Sequence, residues 1–172
     1  ALRASLVDMV QAMPVSFGEV AEIATLANQM GIASSQVADF TRATAMFSAT
    51  SGVSVDQAAT AFGRLTSIMG TKSIPFNEMA DSILKVGVNS VATEGEIINV
   101  TTQISSIAAQ AGFSTEEMIG LSGALASVRV PPELSRGLVT RVFGTIDKAV
   151  NSGGASLERL ARLSGRTSDQ FA

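Results

Sequence analysis

The sequence predicts an all-α fold, a compact bundle of about seven to eight short helices joined by glycine and capping-box turns. Three observations carry this expectation. The first is a device of Gly, then Ser or Thr, then Gln or Glu, clearest in Gly52-Val-Ser54-Val-Asp-Gln57 and Gly112-Phe-Ser114-Thr-Glu-Glu117. Gly165-Arg-Thr167-Ser-Asp-Gln170 repeats it, and Gly31-Ile-Ala-Ser34-Ser-Gln36 is a looser copy. Glycine suits the left-handed position that ends a helix, and a hydroxyl three residues before Gln or Glu opens the next one. The second observation is apolar residues recurring at steps of three and four. The third is that no segment alternates at period two for long enough to make a strand. Ser127-Val-Arg-Val130 comes nearest, and the two prolines after it argue against a sheet interior.

The elements follow in order. Leu2 to Met13 suits a short helix stopped by Pro14. Ser16-Phe-Gly-Glu19 is a capping box, after which Phe17, Val20, Ala24, Ala27 and Met30 share a face up to Gly31. Val37, Phe40, Ala43 and Phe47 form the next stripe, closed by Gly52. Val55, Ala58, Phe62, Leu65 and Met69 follow Ser54 and end at Gly70. Thr71 to Ser73 is a joint, and Pro75 suits a first helical turn, with Met79, Ile83, Leu84 and Val86 leading to Gly87. Asn89 to Ala92 is a loop before the Thr93/Glu96 capping box.

Ile97, Val100, Ile104, Ile107 and Ala111 form the stripe that stops at Gly112, and Met118, Leu121, Leu125 and Val128 continue after Ser114. Pro131-Pro132 forces a turn into a helix on which Leu134, Leu138, Val142, Ile146 and Ala149 align. Asn151-Ser-Gly-Gly154 is the most linker-like stretch, and a short Leu157-to-Leu163 helix precedes the last cap. This divides the chain into an upstream connecting segment (1–14), a helical core domain (15–150), and a linker with the start of further helices (151–172). The start has neither an initiator Met nor a charged-then-apolar signal pattern, so the chain is expected to be a piece of something longer.

Composition excludes whole classes of chemistry. With no Cys, His, Trp or Tyr, the chain cannot form disulfides, thiolate nucleophiles, His-based acid–base sites or His/Cys metal sites. The net charge of −3 is unevenly spread. From Arg129 onward there are seven basic residues (Arg129, Arg136, Arg141, Lys148, Arg159, Arg162, Arg166) against four acidic ones, so everything upstream is net acidic. A basic tail suits nucleic acid or an acidic surface, but more simply a solvated helix face. No basic cluster is interleaved with aromatics, so no base-stacking platform and no specific nucleic-acid binding are expected. Ile97 to Thr115 carries no charge, but Asn99, Thr101, Thr102, Gln103, Ser105, Ser106 and Gln110 make it too polar for a membrane span.

The remaining candidates are weak. Glu94/Glu96 and Glu116/Glu117 are the close acidic pairs, and both sit in first turns, where negative charge meets the helix dipole. The abundant hydroxyls have no His to activate them and no Lys set beside a Ser in a nucleophile motif. Gly63-Arg64 and Gly70-Thr71-Lys72 lack the phosphate-loop pattern, and Gly120-Leu-Ser-Gly123 lies within a helix. No catalytic, cofactor-binding or metal-binding residue is expected, and no cofactor. Gly120, Ser122, Gly123, Ala126 and Ser127 let a second helix approach closely, first within the chain, alternatively between chains, and last in a membrane.

The order of these segments resembles the core region of phage tail tape measure proteins, from about Val15 to the end. Its markers are Glu19-Val-Ala-Glu-Ile-Ala-Thr-Leu-Ala-Asn-Gln-Met-Gly31, Ala38-Asp-Phe40, Ser51-Gly-Val-Ser-Val-Asp-Gln-Ala58 and Asn89-Ser-Val-Ala-Thr-Glu-Gly-Glu-Ile97. Ala111-Gly-Phe-Ser-Thr-Glu-Glu117, Ala124-Leu-Ala-Ser-Val128, Arg136-Gly137, Thr140-Arg141 and Leu160 to Phe171 complete them. No single motif is specific; the order and spacing are. Arg129 departs from the pattern, standing where the family usually ends a helix with Gly, so the joint before Pro131 is expected to be set by the prolines.

The resemblance implies a non-enzymatic virion protein, present in several copies inside the tail tube or near its tip. Such a protein fixes tail length during assembly in the host cytoplasm and leaves ahead of DNA at infection. It implies contacts with other copies, the tail tube protein, tail-tip proteins and tail assembly chaperones, and for some members the host envelope. Two other readings stay open: a helical module that perturbs the host envelope, and a non-enzymatic helical adaptor from a mobile element.

Overall fold

The computed structural model describes residues 15–70, 73–165 and 167. Among these there are eight helices and no strand: α1 (Phe17–Gln29), α2 (Val37–Ser51), α3 (Val55–Met69), α4 (Phe76–Val88), α5 (Glu94–Gln110), α6 (Thr115–Ser127), α7 (Pro132–Ser152) and α8 (Gly154–Ser164). The all-α expectation holds, and Ser127 to Val130 is a helix end. The proposed Leu2–Met13 helix, Thr71, Lys72 and, apart from Thr167, the final cap beyond Gly165 lie outside the described residues.

The joints form for the reasons expected. After α5 the N–H of Gly112 donates to the carbonyl of Ala109 (3.1 Å) and the N–H of Phe113 to that of Ala108 (3.0 Å). This closes the helix with Gly112 at φ 86°. Two residues later the Ser114 hydroxyl accepts from the N–H of Glu117 (3.2 Å), whose carboxylate accepts from the N–H of Ser114 (2.9 Å). Ser16/Glu19 and Thr93/Glu96 make the same reciprocal box. At Ser54 only half of it forms: the hydroxyl accepts from Gln57 N–H (3.3 Å), while the Gln57 amide donates to Asn99 on α5 (3.1 Å). The looser copy fails, because Ser34 stands only two residues before Gln36, and Gln36 occupies the cap position without a side-chain bond.

Ser54→Ala and Ser114→Ala are each expected to cost roughly 0.5–2 kcal/mol, the usual loss for such a cap. Glu117 keeps its bond to the backbone N–H of residue 114 in the alanine variant, so the two losses should be alike. Ser106→Ala, mid-helix on α5 and half-buried, should be nearly neutral. Urea melts of the three variants check this, and equal effects at all three would remove capping as the cause.

Arg129 corrects the expectation for the joint before Pro131. The N–H of Arg129 donates to Ala126 (2.9 Å) and that of Val130 to Leu125 (3.1 Å), the same closure as at Gly112. Arg129 sits at φ 57°, the one non-glycine residue with positive φ among those described. The prolines only begin the next helix, Pro131 as its cap and Pro132 at its first position. Because an L side chain is strained by about 1–2 kcal/mol in that conformation, Arg129→Gly is expected to stabilise the chain. The gain should be about 0.5–1 kcal/mol once glycine's greater freedom in the unfolded state is subtracted. A chemical melt showing a loss would mean that the Arg129 side chain contributes more than its backbone costs.

Packing is built around α2 and α5. Helix α2 lies against α1, α3 and α4, and α5 against α3, α4, α6 and α7, while α8 rests on α7. Few as they are, the aromatic rings mark the helix contacts. Phe40 meets Phe76 edge-on (5.1 Å), Phe47 meets Phe62 (5.4 Å), and Phe113 in the α5–α6 joint meets Phe143 of α7 (5.2 Å).

Most expected stripes are buried, with instructive exceptions. On α1 the expected stripe member Phe17 is 58% exposed, while Ile23, not counted in that stripe, is fully buried. Ala111 is an exposed helix cap, and Val128 is 72% exposed. On α7 the expected stripe largely faces solvent: Leu134, Leu138 and Val142 are 63%, 43% and 47% exposed. Its buried residues are Ser135, Val139 and Ala149, the last a member of the expected stripe, with Phe143 half-buried against Phe113. The stretch expected as a linker is almost wholly helical, with Gly153 alone between α7 and α8.

Candidate functional site

Each acidic pair serves a helix start. Glu96 accepts from the Thr93 N–H (2.8 Å) and hydroxyl (3.1 Å), and Glu117 accepts from the Ser114 N–H. Glu94 instead lies across Gly87 at the end of α4, where any side chain would meet its carboxylate. Among the described residues no group of three or more His, Cys, Asp or Glu is placed to hold a metal ion. No helix among them is long and apolar enough to cross a membrane.

The cap bonds hold two carboxyls below their ordinary value of 4.5. For Glu19 the backbone N–H of Ser16 is the main cause and the Ser16 hydroxyl the second. For Glu96 the Thr93 N–H leads, then the Thr93 hydroxyl, with the Arg129 charge adding to both. A carboxyl whose folded-state pKa is depressed contributes stability that is complete above its unfolded value and lost as pH falls through the folded one. The melting temperature is therefore expected to fall as the pH drops below 4.5. The double variant Glu19→Gln/Glu96→Gln, which keeps the acceptor without the charge, should lose part of that dependence. Identical melting-versus-pH curves would show that the boxes do not respond to acid.

Small side chains serve contacts within the chain. A Cβ at Gly123 of α6 would run into Val86 of α4, and one at Gly63 of α3 into the thioether of Met30 on α1. Ser122, Gly123 and Ala126 are buried, whereas Gly120 faces open space. The hydroxyls of Thr44 and Thr115 are buried without a hydrogen-bond partner.

Concavities lie on the surface of the described residues. One, about 940 Å³, is an open groove between α2 and α4, with Ala43, Phe47, Phe76, Ala80 and Leu84 among its lining residues and Asp39, Arg42 and Asp81 the charged ones. A polar cleft of about 460 Å³ lies between α3, α5 and the start of α7, where Gln57 bonds Asn99. A small one of about 170 Å³ lies beside Arg129, Glu96 and the two prolines. The groove was not legible in the sequence, since its walls come from two helices separated by a third, and Ala43 read as an ordinary stripe member.

The groove has the volume of a ligand site, and its lining is mainly apolar, with Gln36, Asp39, Arg42, Asn77 and Asp81 among its polar residues. No curated protein and no solved structure matches the chain. A family model, described as phage-related minor tail protein, matches residues 3–135, from upstream of α1 to the first turn of α7. That span covers more than half of the sequence and takes in the capped joints from Ser16 to Ser114, so the chain belongs to the phage-related minor tail protein family.

Proposed function

We propose that this chain is a segment of a tail tape measure protein, a non-enzymatic structural component that sets tail length during assembly and is released ahead of DNA at infection. The observation that carries the reading is the family match over residues 3–135. The ordered capped joints, resembling the tape measure core, narrow it within that family. A helical body whose main groove is lined mainly by apolar atoms suits a packing role better than an enzymatic one.

In this reading the chain lies inside the tail tube or near its tip, and in the host cytoplasm during assembly. It meets further copies of itself, the tube protein, tip proteins and assembly chaperones, and at infection the host envelope. A globule of this length has a radius of gyration of roughly 16 Å. Several such globules side by side do not suit a narrow lumen, so the segment either sits at a tail end or unpacks to pass along the tube.

In-frame duplication and deletion of residues 15–152 in the encoding virus test the reading, with tail length measured by electron microscopy. Tails that lengthen and shorten in step with the segment are the expected result. Intact tails of unchanged length would assign the chain another role in the tail.

A further inference from the structure

We infer that copies of this chain associate head to tail, the exposed apolar ridge of α7 on one copy seating in the α2–α4 groove of the next. The inference rests on two surfaces, not on the tape measure reading. The first is the groove. Where α2 meets α4, Ala43 and Ala80 face it with methyl groups only, leaving a trough lined mainly by apolar atoms beside Phe47, Phe76 and Leu84. Met46, 52% exposed, forms part of its wall. From Asp39 to Thr50 the trough follows α2 for about 16 Å at the helical rise.

The second surface is the ridge. Leu134, Leu138 and Val142 stand at successive four-residue steps, each more than two-fifths exposed, over about 12 Å of helix. A short apolar ridge of that length fits such a trough in the manner of a helix laid in a groove. The two belong to opposite parts of the molecule: the main packing partners of α7 are α5 and α8, and those of α2 are α1, α3 and α4.

Charge selects a second copy as the occupant. Up to Val128 the chain carries eleven acidic and five basic residues, and from Arg129 onward four acidic and seven basic. The groove bears Asp39 and Asp81 against the single Arg42. Beside the ridge, Arg141 and Lys148 are exposed on one flank of α7, and along the whole helix three exposed cations, with Arg136, outnumber Glu133 and Asp147. The one ion pair among the described residues is Arg162–Glu158, so none of these groups is already matched. An acidic groove facing a basic ridge steers copies into one orientation. Because the two patches differ, the contact is heterologous and repeats from copy to copy instead of closing as a two-fold dimer.

The absence of native cysteine makes the test direct. Full-length chains carrying Met46→Cys or Leu138→Cys, each alone, are mixed and oxidised. The mixture is expected to yield a crosslinked heterodimer about tenfold faster than either variant alone. Adding Leu138→Asp to the wild-type background should abolish concentration-dependent self-association in sedimentation equilibrium while leaving the helical circular dichroism signal unchanged. Asp81→Arg should weaken association, and Arg141→Asp in the same chain should restore part of it. No preferential heterodimer, or association indifferent to Leu138→Asp, would overturn the inference. So would an intrachain disulfide in a Leu6→Cys/Met46→Cys chain, which would show that the groove is filled by the chain's own upstream segment.

Discussion

Phe62→Ala is expected to lower stability by about 3–5 kcal/mol, the cost of truncating a fully enclosed ring, with a fall in melting temperature of roughly 10 °C. Phe62 has no exposed surface and its ring lies 5.4 Å from that of Phe47, joining α3 to α2 where the two central packing groups meet. The chain has only eight phenylalanines and no other aromatic residue, so little else can fill the space. Such a loss is a large share of the total stability of about 5–15 kcal/mol usual for a domain. If the alanine variant does not fold, Phe62→Leu gives a measurable, smaller loss. The comparison is Leu138→Ala, a stripe residue of equal standing in the sequence but 43% exposed. It should change stability of the free chain by about 0.5 kcal/mol at most. Chemical denaturation of both variants, at a concentration too low for self-association, decides the matter; similar losses would place α7's ridge in the core.

That contrast marks where the sequence stops being informative. Joints are local: Gly112, Ser114 and Glu117 carry within six residues everything needed to stop one helix and start another, so helix order and number could be read directly. Which side of a helix is buried is not local. On α7 two faces compete at the same four-residue spacing, Leu134/Leu138/Val142 and Ser135/Val139/Phe143. Hydrophobicity favours the first. The structure buries the second because Phe143 meets Phe113, a partner thirty residues upstream. On α1 the first-turn Phe17 stays exposed while the mid-helix Ile23 is fully buried. Arg129 shows the limit of the joint rule itself. The hydrogen bonds of helix closure form there without glycine, and composition alone gave no sign of it. The groove between α2 and α4 was invisible for the simplest reason, since it is made of what Ala43 and Ala80 lack.

Gly123→Leu should be nearly as damaging as the loss of Phe62, by about 3 kcal/mol or more, because the contact it blocks is between backbones and stiff side chains. A Cβ at this position already overlaps a methyl of Val86, and Val86 is β-branched with essentially one rotamer open to it in a helix. It cannot swing aside as the Met30 thioether can from Gly63, so α6 must move away from α4. Gly123→Ala isolates the clash: alanine gains about 1 kcal/mol of helix propensity, and overpacking of about 1–3 kcal/mol opposes it, leaving a net loss. At Gly120, three residues earlier and facing open space, the same substitution meets nothing and should stabilise the chain by about 0.5–1 kcal/mol. Two glycines on one helix are thus expected to respond with opposite signs. Val86→Ala in the Gly123→Ala background should recover most of the loss, a coupling that a double-mutant cycle in urea reads directly. Equal gains at Gly120 and Gly123 would mean that α4 and α6 are not in close contact. A Gly123→Leu chain of normal stability but altered self-association would move the small-residue face from the inside of one chain to the boundary between two.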